Sequence, residues 1–380
     1  MMEFVFWAAV TGLVYVYAGY PLAARAWAAL AGRAARRAPI QPTVTVIITA
    51  YNEERGIAAK LRNVAALRYP PGLMDVIVAS DGSTDRTDEI VRNDHQLPVT
   101  LLRVEGRRGK TACQNAAAEA ARGEILLFTD ATTEIETDAI ALMVENFADP
   151  DVGCVAGSLV YVAKGDNLTA RGGTSYWGYE LALRKAESDL GSLVGVSGCL
   201  YAVRRCAYRP IRPDLISDFV VAFKMQEQGL RTVLEPRGLC FEDTHDLGSQ
   251  ELGMRVRVAI RSLHALVSER RFLNPLRYGR FAWQLWSHKA LRYASPLLGV
   301  VALAANVALV PRPFYVLTFG LQFVILGLGV LGWVLHGSGR QAAILEKPYY
   351  FLLTNVASLV AMAKYLRGER AITWTPVRGP

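Results

Sequence analysis

Charge is missing from the start of this chain: after Glu3, no charged side chain occurs until Arg25. A secretory leader opens with a basic segment ahead of a short apolar core. Here the only early charge is acidic, and Arg25, Arg33, Arg36 and Arg37 follow the apolar run. This pattern argues against a cleaved leader and for a retained membrane anchor over Phe4 to Leu30, a stretch about long enough to cross a bilayer. The positive-inside rule then puts the N-terminus outside and residue 33 onward in the cytoplasm. Cysteine pairs at C-x-x-C spacing are also missing. The five cysteines, Cys113, Cys154, Cys199, Cys206 and Cys240, are scattered, which excludes a zinc or disulfide framework and predicts reduced thiols. A net charge of +8 invites a nucleic-acid reading, but the chain has no nucleic-acid motif and no basic groove interleaved with aromatics. The arginines cluster beside apolar segments, so anionic lipid headgroups are the expected partner. The apolar spans hold no evident charge relay, which disfavours an ion channel or transporter.

What is present is apolar surface, unevenly placed. Of 380 residues, 52% are hydrophobic, and the mean hydropathy is +0.20. The excess lies in 4–30, 291–310 and 314–336, with a weaker stretch at 349–363, whereas 40–245 reads as globular. The expected organisation is an N-terminal transmembrane helix over 1–32 and a soluble domain over 40–245. Amphipathic interfacial helices over 250–290 follow, divided at Pro275, with arginines snorkelling to headgroups. Two spans over 291–336 are joined by a short turn at "PRP". Residues 345–380 hold either an interfacial or re-entrant helix or a fourth span, followed by a basic tail. Asn355 and Ser358 weaken the case for the span.

Within 40–245, strands and helices alternate. "VTVIITA" is a β-branched run, followed by "NEERGIAAKLRNVAAL" with Ile57, Leu61 and Leu67 at helical spacing. "MDVIVAS" ends at Asp81, and "GSTDRTDEIVRN" starts a helix with Ser83 or Thr84 available as N-cap. "VTLLRV" and "GEILLFTD" are further strands, with the small-residue helix "KTACQNAAAEAA" between them. This alternation predicts an α/β domain with a largely parallel sheet covered on both faces. Ligands of such sheets bind beyond the carboxyl ends of the strands. Ala50-Tyr51-Asn52-Glu53, Ser80-Asp81-Gly82 and Thr129-Asp130 all occupy that edge. Each is an ordinary turn sequence alone, but three at one edge point to a binding crevice.

Taken in order, "AYNEE", "SDGSTD", "GRRGKTACQNAA", "FTDATTE", "VSGCLYAVRR" and "ISDFVVAFKMQEQG" resemble the successive motifs of a family 2 glycosyltransferase with a GT-A fold, a Rossmann-like mixed sheet. The flanking membrane segments make the chain most similar to membrane-embedded synthases of the hyaluronan, chitin, poly-N-acetylglucosamine and cellulose type. The resemblance implies a nucleotide-sugar site made by Ala50, Tyr51, Glu53, Asp81, Lys110, Asp130, Arg257 and Arg261. In it Tyr51 lies against a uracil ring, Asp81 accepts the imide N–H, and Lys110 meets phosphate. It also implies a divalent ion, Mg²⁺ or Mn²⁺, at Asp130. Asp218, in the place of the family's helix-opening acidic element, is the implied general base; its competing role is to cap that helix. Gly198 and Cys199 are implied on the acceptor side.

Two departures stand out. The second acidic position of the family's Asp-x-Asp motif is Thr132, leaving one assured carboxylate for the ion, with Glu134 or a hydroxyl as helpers. The family's Gln-x-x-Arg-Trp element is met by Met254, Arg257 and Val258, so the aromatic platform is absent unless a ring such as Trp374 replaces it. The resulting expectation is an inverting, metal-dependent transferase at the inner or plasma membrane with a cytoplasmic catalytic domain. It would pass sugar from a UDP-sugar to a growing β-linked glycan. The alternative is transfer of a single sugar to a lipid such as a sterol, ceramide, diacylglycerol or polyprenyl phosphate. A scaffold that has lost turnover is the rival from outside enzymology. Sugar identity and oligomeric state are not encoded in any spacing.

Overall fold

The computed structural model describes residues 1–162, 168–243, 248–337 and 343–370. The uncharged run at the start is helical over Met2–Ala31, as α1 (Met2–Val14) and α2 (Tyr20–Ala31) joined by a wider π turn at Tyr15–Gly19. Strand–helix pairs follow: β1 (Val44–Ala50) and α3 (Ile57–Ala65), β2 (Met74–Ser80) and α4 (Thr87–Arg92), β3 (Val99–Arg103) and α5 (Lys110–Ala120). Next come β4 (Ile125–Asp130), the short β5 (Glu134–Ile135), α6 (Ala139–Val144) and β6 (Val152–Val162). After these lie α7 (Leu168–Leu190), β7 (Leu200–Arg204), α8 (Ser217–Glu227) and β8 (Arg231–Asp243). The rest is helical: α9 (Gly248–Ser268), α10 (Pro275–Leu285), α11 (Leu291–Leu309), α12 (Pro313–Gly337) and α13 (Glu346–Leu366). Two compact units result. An α/β unit contains Ala28–Val162 and Arg184–Glu242; a helical unit contains Met1–Trp27, Ala163–Leu183 and Asp243–Arg370.

In the α/β unit, eight strands form one sheet in the order β3-β2-β1-β4-β7-β6-β8-β5. β3, β2, β1 and β4 pair in parallel, whereas β7 runs antiparallel to both β4 and β6. The sheet is therefore mixed, with its parallel half in the segment read as alternating strand and helix. All seven residues of β1 are buried, as a β-branched run covered on both faces requires. The chain order reverses between β1 and β4, and the crevice of an open α/β sheet forms at such a switch point. Register sets Ala50 opposite Ser80 and Thr49 opposite Asp130, so the three loops leave from one edge.

The start of α4 differs from expectation. Ser83 and Thr84 do not cap it: the Ser83 hydroxyl accepts the Asn52 N–H at 3.1 Å, and the Thr84 N–H goes to Asn52 Oδ1 at 2.8 Å. The Asp85 carboxylate accepts the Thr87 N–H at 3.0 Å instead. The loop after β2 is thus stitched to the loop after β1, and the helix begins a few residues later. The arginines behind the first helix also have partners within this unit. Arg33 pairs with Asp151 at 2.7 Å, the Arg36 N–H donates to Asp149 at 3.2 Å, and Arg37 pairs with Glu235 at 3.4 Å.

Among the described residues, three helices are long and apolar enough to cross a membrane: Met2–Ala31, Pro275–Leu309 and Pro313–His336. Their outward positions are apolar, with Leu317, Leu321, Val300 and Val307 all exposed. Asn274 caps the helix at Pro275, accepting the Leu276 N–H at 3.0 Å. That helix is kinked at Gly279, where φ is 46° and ψ −118°, and then passes through a second π turn at Trp286–Ala290. α9 buries Val256, Ala259 and Ile260 against Ala357 and Ala361 of α13. The helical unit also contains an ionic cluster that the sequence did not suggest. Glu180 lies 2.9 Å from His288 Nε2 and accepts from Arg292 at 3.0 Å. Both carboxylate oxygens are used, so the cluster ties α7 to the Pro275–Leu309 helix.

Gly123, just before β4, tests the packing of the sheet. A Cβ there would lie 2.5 Å from the Thr45 amide nitrogen. Gly123→Ala is expected to cost ~1–3 kcal/mol, read as a lower thermal midpoint in detergent. The control Gly178→Ala, where a Cβ meets nothing within 4 Å, leaves the midpoint no lower.

Candidate active site

The edge loops are held in conformations that few side chains accept. Asn52 and Arg107 have positive φ, at 54° and 44°, and for an arginine this is uncommon enough to mark a constrained site. The Arg107 guanidinium lies over the Tyr51 ring, 4.2 Å from its centre. One face of Tyr51 is thus already stacked. Ala50 is fully buried and contributes its carbonyl, which accepts the Asp81 N–H at 2.9 Å. Glu53 begins the turn into α3, its N–H donating to Thr87 Oγ1 at 2.7 Å.

Asp81 is 1% exposed. Its carboxylate accepts the N–H groups of Arg108 at 2.6 Å and Gly109 at 3.0 Å. A carboxylate just ahead of the first turn of α5 also suits the helix dipole. Asp81 therefore has a visible task, which is to hold the basic loop and aim α5. Gly109 takes φ 90° to enter that helix, a conformation that favours glycine.

Lys110 is the first residue of α5 and Asp130 the last of β4, and their side chains form an ion pair. The Lys110 ammonium also donates to the Gly198 carbonyl at 3.2 Å. Burial alone would lower its pKa, but Asp130 and then Asp218 outweigh burial and raise it. Asp218 lies in the first turn of α8. A Cβ on Gly198 would meet Asp218 Oδ2 at 2.8 Å and Lys110 Nζ at 3.2 Å. Lys110, Asp130, Gly198 and Asp218 are therefore brought together. The frame is stiff: Thr111 of α5 donates to the Leu215 carbonyl at 2.8 Å, and the Val196 N–H to the Asp218 carbonyl at 2.8 Å. Cys199 faces Glu242, its thiol donating at 3.5 Å. Burial, then Glu242 and Asp130, push the Cys199 pKa well up, so it stays a thiol. All five cysteines are free.

Arg257 and Arg261 are half-buried on α9 and belong to the helical unit, where Val258 is exposed. Trp374 lies outside the described residues. Sequence reasoning missed Lys60, which is 3% exposed on α3 and donates to Thr129 Oγ1 at 2.9 Å. Burial lowers its pKa to about 8 against the pull of Asp130. Its signal was available, since Lys60 shares the helix face of Ile57, Leu61 and Val64, where an apolar residue is the norm.

Among the described residues no group of three metal-ligating side chains occurs. Asp130, at the crevice edge, is the carboxylate that the sequence assigns to a cation, and Asp218 lies beside the same lysine. That donor set fits Mg²⁺ or Mn²⁺, which keep waters and take substrate phosphate oxygens, and does not fit a metal that needs a protein cage.

Residues 45–211 match the model of glycosyl transferase family 2. Poly-beta-1,6-N-acetyl-D-glucosamine synthase of Staphylococcus aureus is 26% identical over 264 residues, 66% of this chain and 64% of the relative. The synthase of Staphylococcus epidermidis is 27% identical over 206 residues, 52% and 49% of the two chains. The matched stretch thus spans less than two thirds of these relatives. Among solved structures, a mannosyltransferase from Pyrobaculum calidifontis in complex with GDP-Man and Mn²⁺ superposes with a TM-score of 0.77. It covers 97% of this chain and 100% of that one at 24% identity, a likeness of fold.

The crowding at Gly198 makes it a test of the assembled site. Gly198→Ala displaces Asp218 or Lys110 and is expected to lower turnover at this centre by about 10²-fold with little change in thermal midpoint. Unaltered turnover would show that these groups are not jointly engaged.

Proposed function

We propose, for a chain whose residues 45–211 match the model of glycosyl transferase family 2, that this centre transfers sugar with inversion from a UDP-sugar to a growing β-linked glycan. The observation that carries the reading is the meeting of Lys110, Asp130 and Asp218 around the side-chain-free Gly198. In it, the acceptor hydroxyl attacks the anomeric carbon, the bond to the diphosphate breaks with its electron pair, and Asp218 takes the hydroxyl proton. Lys110 exchanges Asp130 for the departing phosphates as a compact point charge. Asp130 would hold Mg²⁺ or Mn²⁺, which when bound supplies positive charge at the diphosphate. Arg107 and Tyr51 form the wall against which the base stacks, on a loop aimed by Asp81. Gly198 and Cys199 line the acceptor side. The similarity to poly-beta-1,6-N-acetyl-D-glucosamine synthases favours a polymer product.

A single-sugar transfer to a lipid is the second reading. It is favoured by the presence of only three helices apolar enough to span, among the described residues, since a polymer channel needs protein-lined polar walls. In either reading the catalytic unit faces the cytoplasm of a cell-membrane protein, by the arginines behind the first helix.

Purified protein in detergent, given a panel of UDP- and GDP-sugars with Mg²⁺ or Mn²⁺, is expected to release nucleoside diphosphate. Asp218→Asn is expected to lower release by about 10²–10⁴-fold. Sizing of labelled product separates polymer from glycolipid, and release unaffected by Asp218→Asn would remove Asp218 as the base.

A further inference from the structure

Helix α3 turns a lysine inward. Ile57, Leu61 and Val64 form its buried face, and Lys60 lies in the same row at 3% exposure. Burying an ammonium is costly unless it is paired and hydrogen-bonded, so its partners reveal what the cost sustains. Lys60 Nζ donates to Thr129 Oγ1 at 2.9 Å and to the Thr133 carbonyl. These residues bracket Asp130 to Thr132, so one ammonium closes the neck of the loop that carries Asp130. One turn on, the Asn63 side chain donates to the Ile135 carbonyl at 2.8 Å and accepts the Ile135 N–H at 2.9 Å. Two residues three apart on one helix thus grip the stretch 129–135 at both ends. Hydrogen bonding alone does not require a full charge here, since a neutral donor reaches the same kinds of acceptor. Asp130 supplies the reason, because its attraction is the largest effect favouring the charged lysine against burial.

We propose that Lys60 and Asn63 are positioning residues that hold the 129–135 loop, and with it the Asp130 carboxylate, in the geometry that receives a divalent cation carried by a nucleoside diphosphate. The inference rests on the donor reading above and adds residues that do not touch the donor. Its logic follows from the chain's own departure at Thr132. With one carboxylate in place of two, cation affinity rests on how well that carboxylate is aimed, and neighbours of a metal ligand set its orientation. Lys60 acts from beneath the loop and Lys110 from across the crevice. When Lys110 moves to phosphate, Lys60 remains as the fixed counter-charge of Asp130.

The test is calorimetric, on the full-length protein in detergent, titrated with UDP and with GDP in EDTA and then with Mn²⁺. The quantity read is the gain in nucleotide affinity on adding Mn²⁺. Lys60→Met is expected to lose roughly tenfold to a hundredfold of that gain while the affinity in EDTA stays within about twofold. Damage to the fold alone would weaken both affinities together. Asn63→Ala keeps the charge and frees only the Ile135 end. It is expected to shift the gain in the same direction by less, and it decides the matter if Lys60→Met does not fold. A Mn²⁺ gain equal to wild type in the folded variants overturns the proposal. Failure of the wild type to bind either nucleotide overturns the donor reading, and this inference with it, a result unlike normal wild-type binding with unaffected variants.

Discussion

Lys110 opens α5, Asp130 closes β4, and the ion pair they form stands where the order of the sheet reverses. At an effective dielectric of about 20, two such charges in contact attract by roughly 4 kcal/mol, and the desolvation of both returns much of that. The pair is therefore strong enough to set geometry, and its small net attraction is what the proposed exchange for a phosphate requires. Neighbouring parts of the site serve it. Asp81 aims α5 through the Arg108 and Gly109 amides, Thr111 carries the same helix's position to the loop before Asp218, and Lys60 sits beneath the Asp130 loop.

The parallel half of the sheet was readable because β1 and most of β2 and β4 are buried apolar runs, which fixes their period and length. β1, β2 and β4 begin and end where the apolar runs do. The convergence of Asp130 and Asp81 at one edge was readable for the same reason, since strand ends in a parallel sheet share an edge. Less legible was what each side chain does there. Asp81 was expected to meet a base, yet its oxygens are turned to backbone amides, a preference no spacing announces. Ser83 and Thr84 have the composition of helix caps, but Asn52 in the neighbouring loop after β1 competes for them. Lys60 was passed over because helical patterning is read from apolar positions, and a cation in that row looks like an interruption.

The helical unit shows the same limit. Hydropathy located its long apolar helices, because length and composition are what a bilayer demands. It did not locate the bonds between them. Tyr15 meets Ser287 at 2.8 Å and Tyr17 meets Ser295 at 2.9 Å, with π turns at Tyr15–Gly19 and Trp286–Ala290. His288 and Arg292, on the helix Pro275–Leu309, are both tied to Glu180. Arg33, Arg36 and Arg37, read as lipid-facing, are attached to Asp149, Asp151 and Glu235. A basic cluster next to a long apolar helix can thus serve tertiary structure.

The account's central claim is that Asp130 exchanges a lysine for a metal-bound diphosphate. The most direct measurement is the anomalous scattering of Mn²⁺ in crystals grown with a nucleoside diphosphate. The account predicts a single peak within coordination distance of the Asp130 carboxylate, with Lys110 turned from Asp130 to phosphate. A bound nucleotide with the Lys110–Asp130 pair intact and no manganese at Asp130 would contradict it.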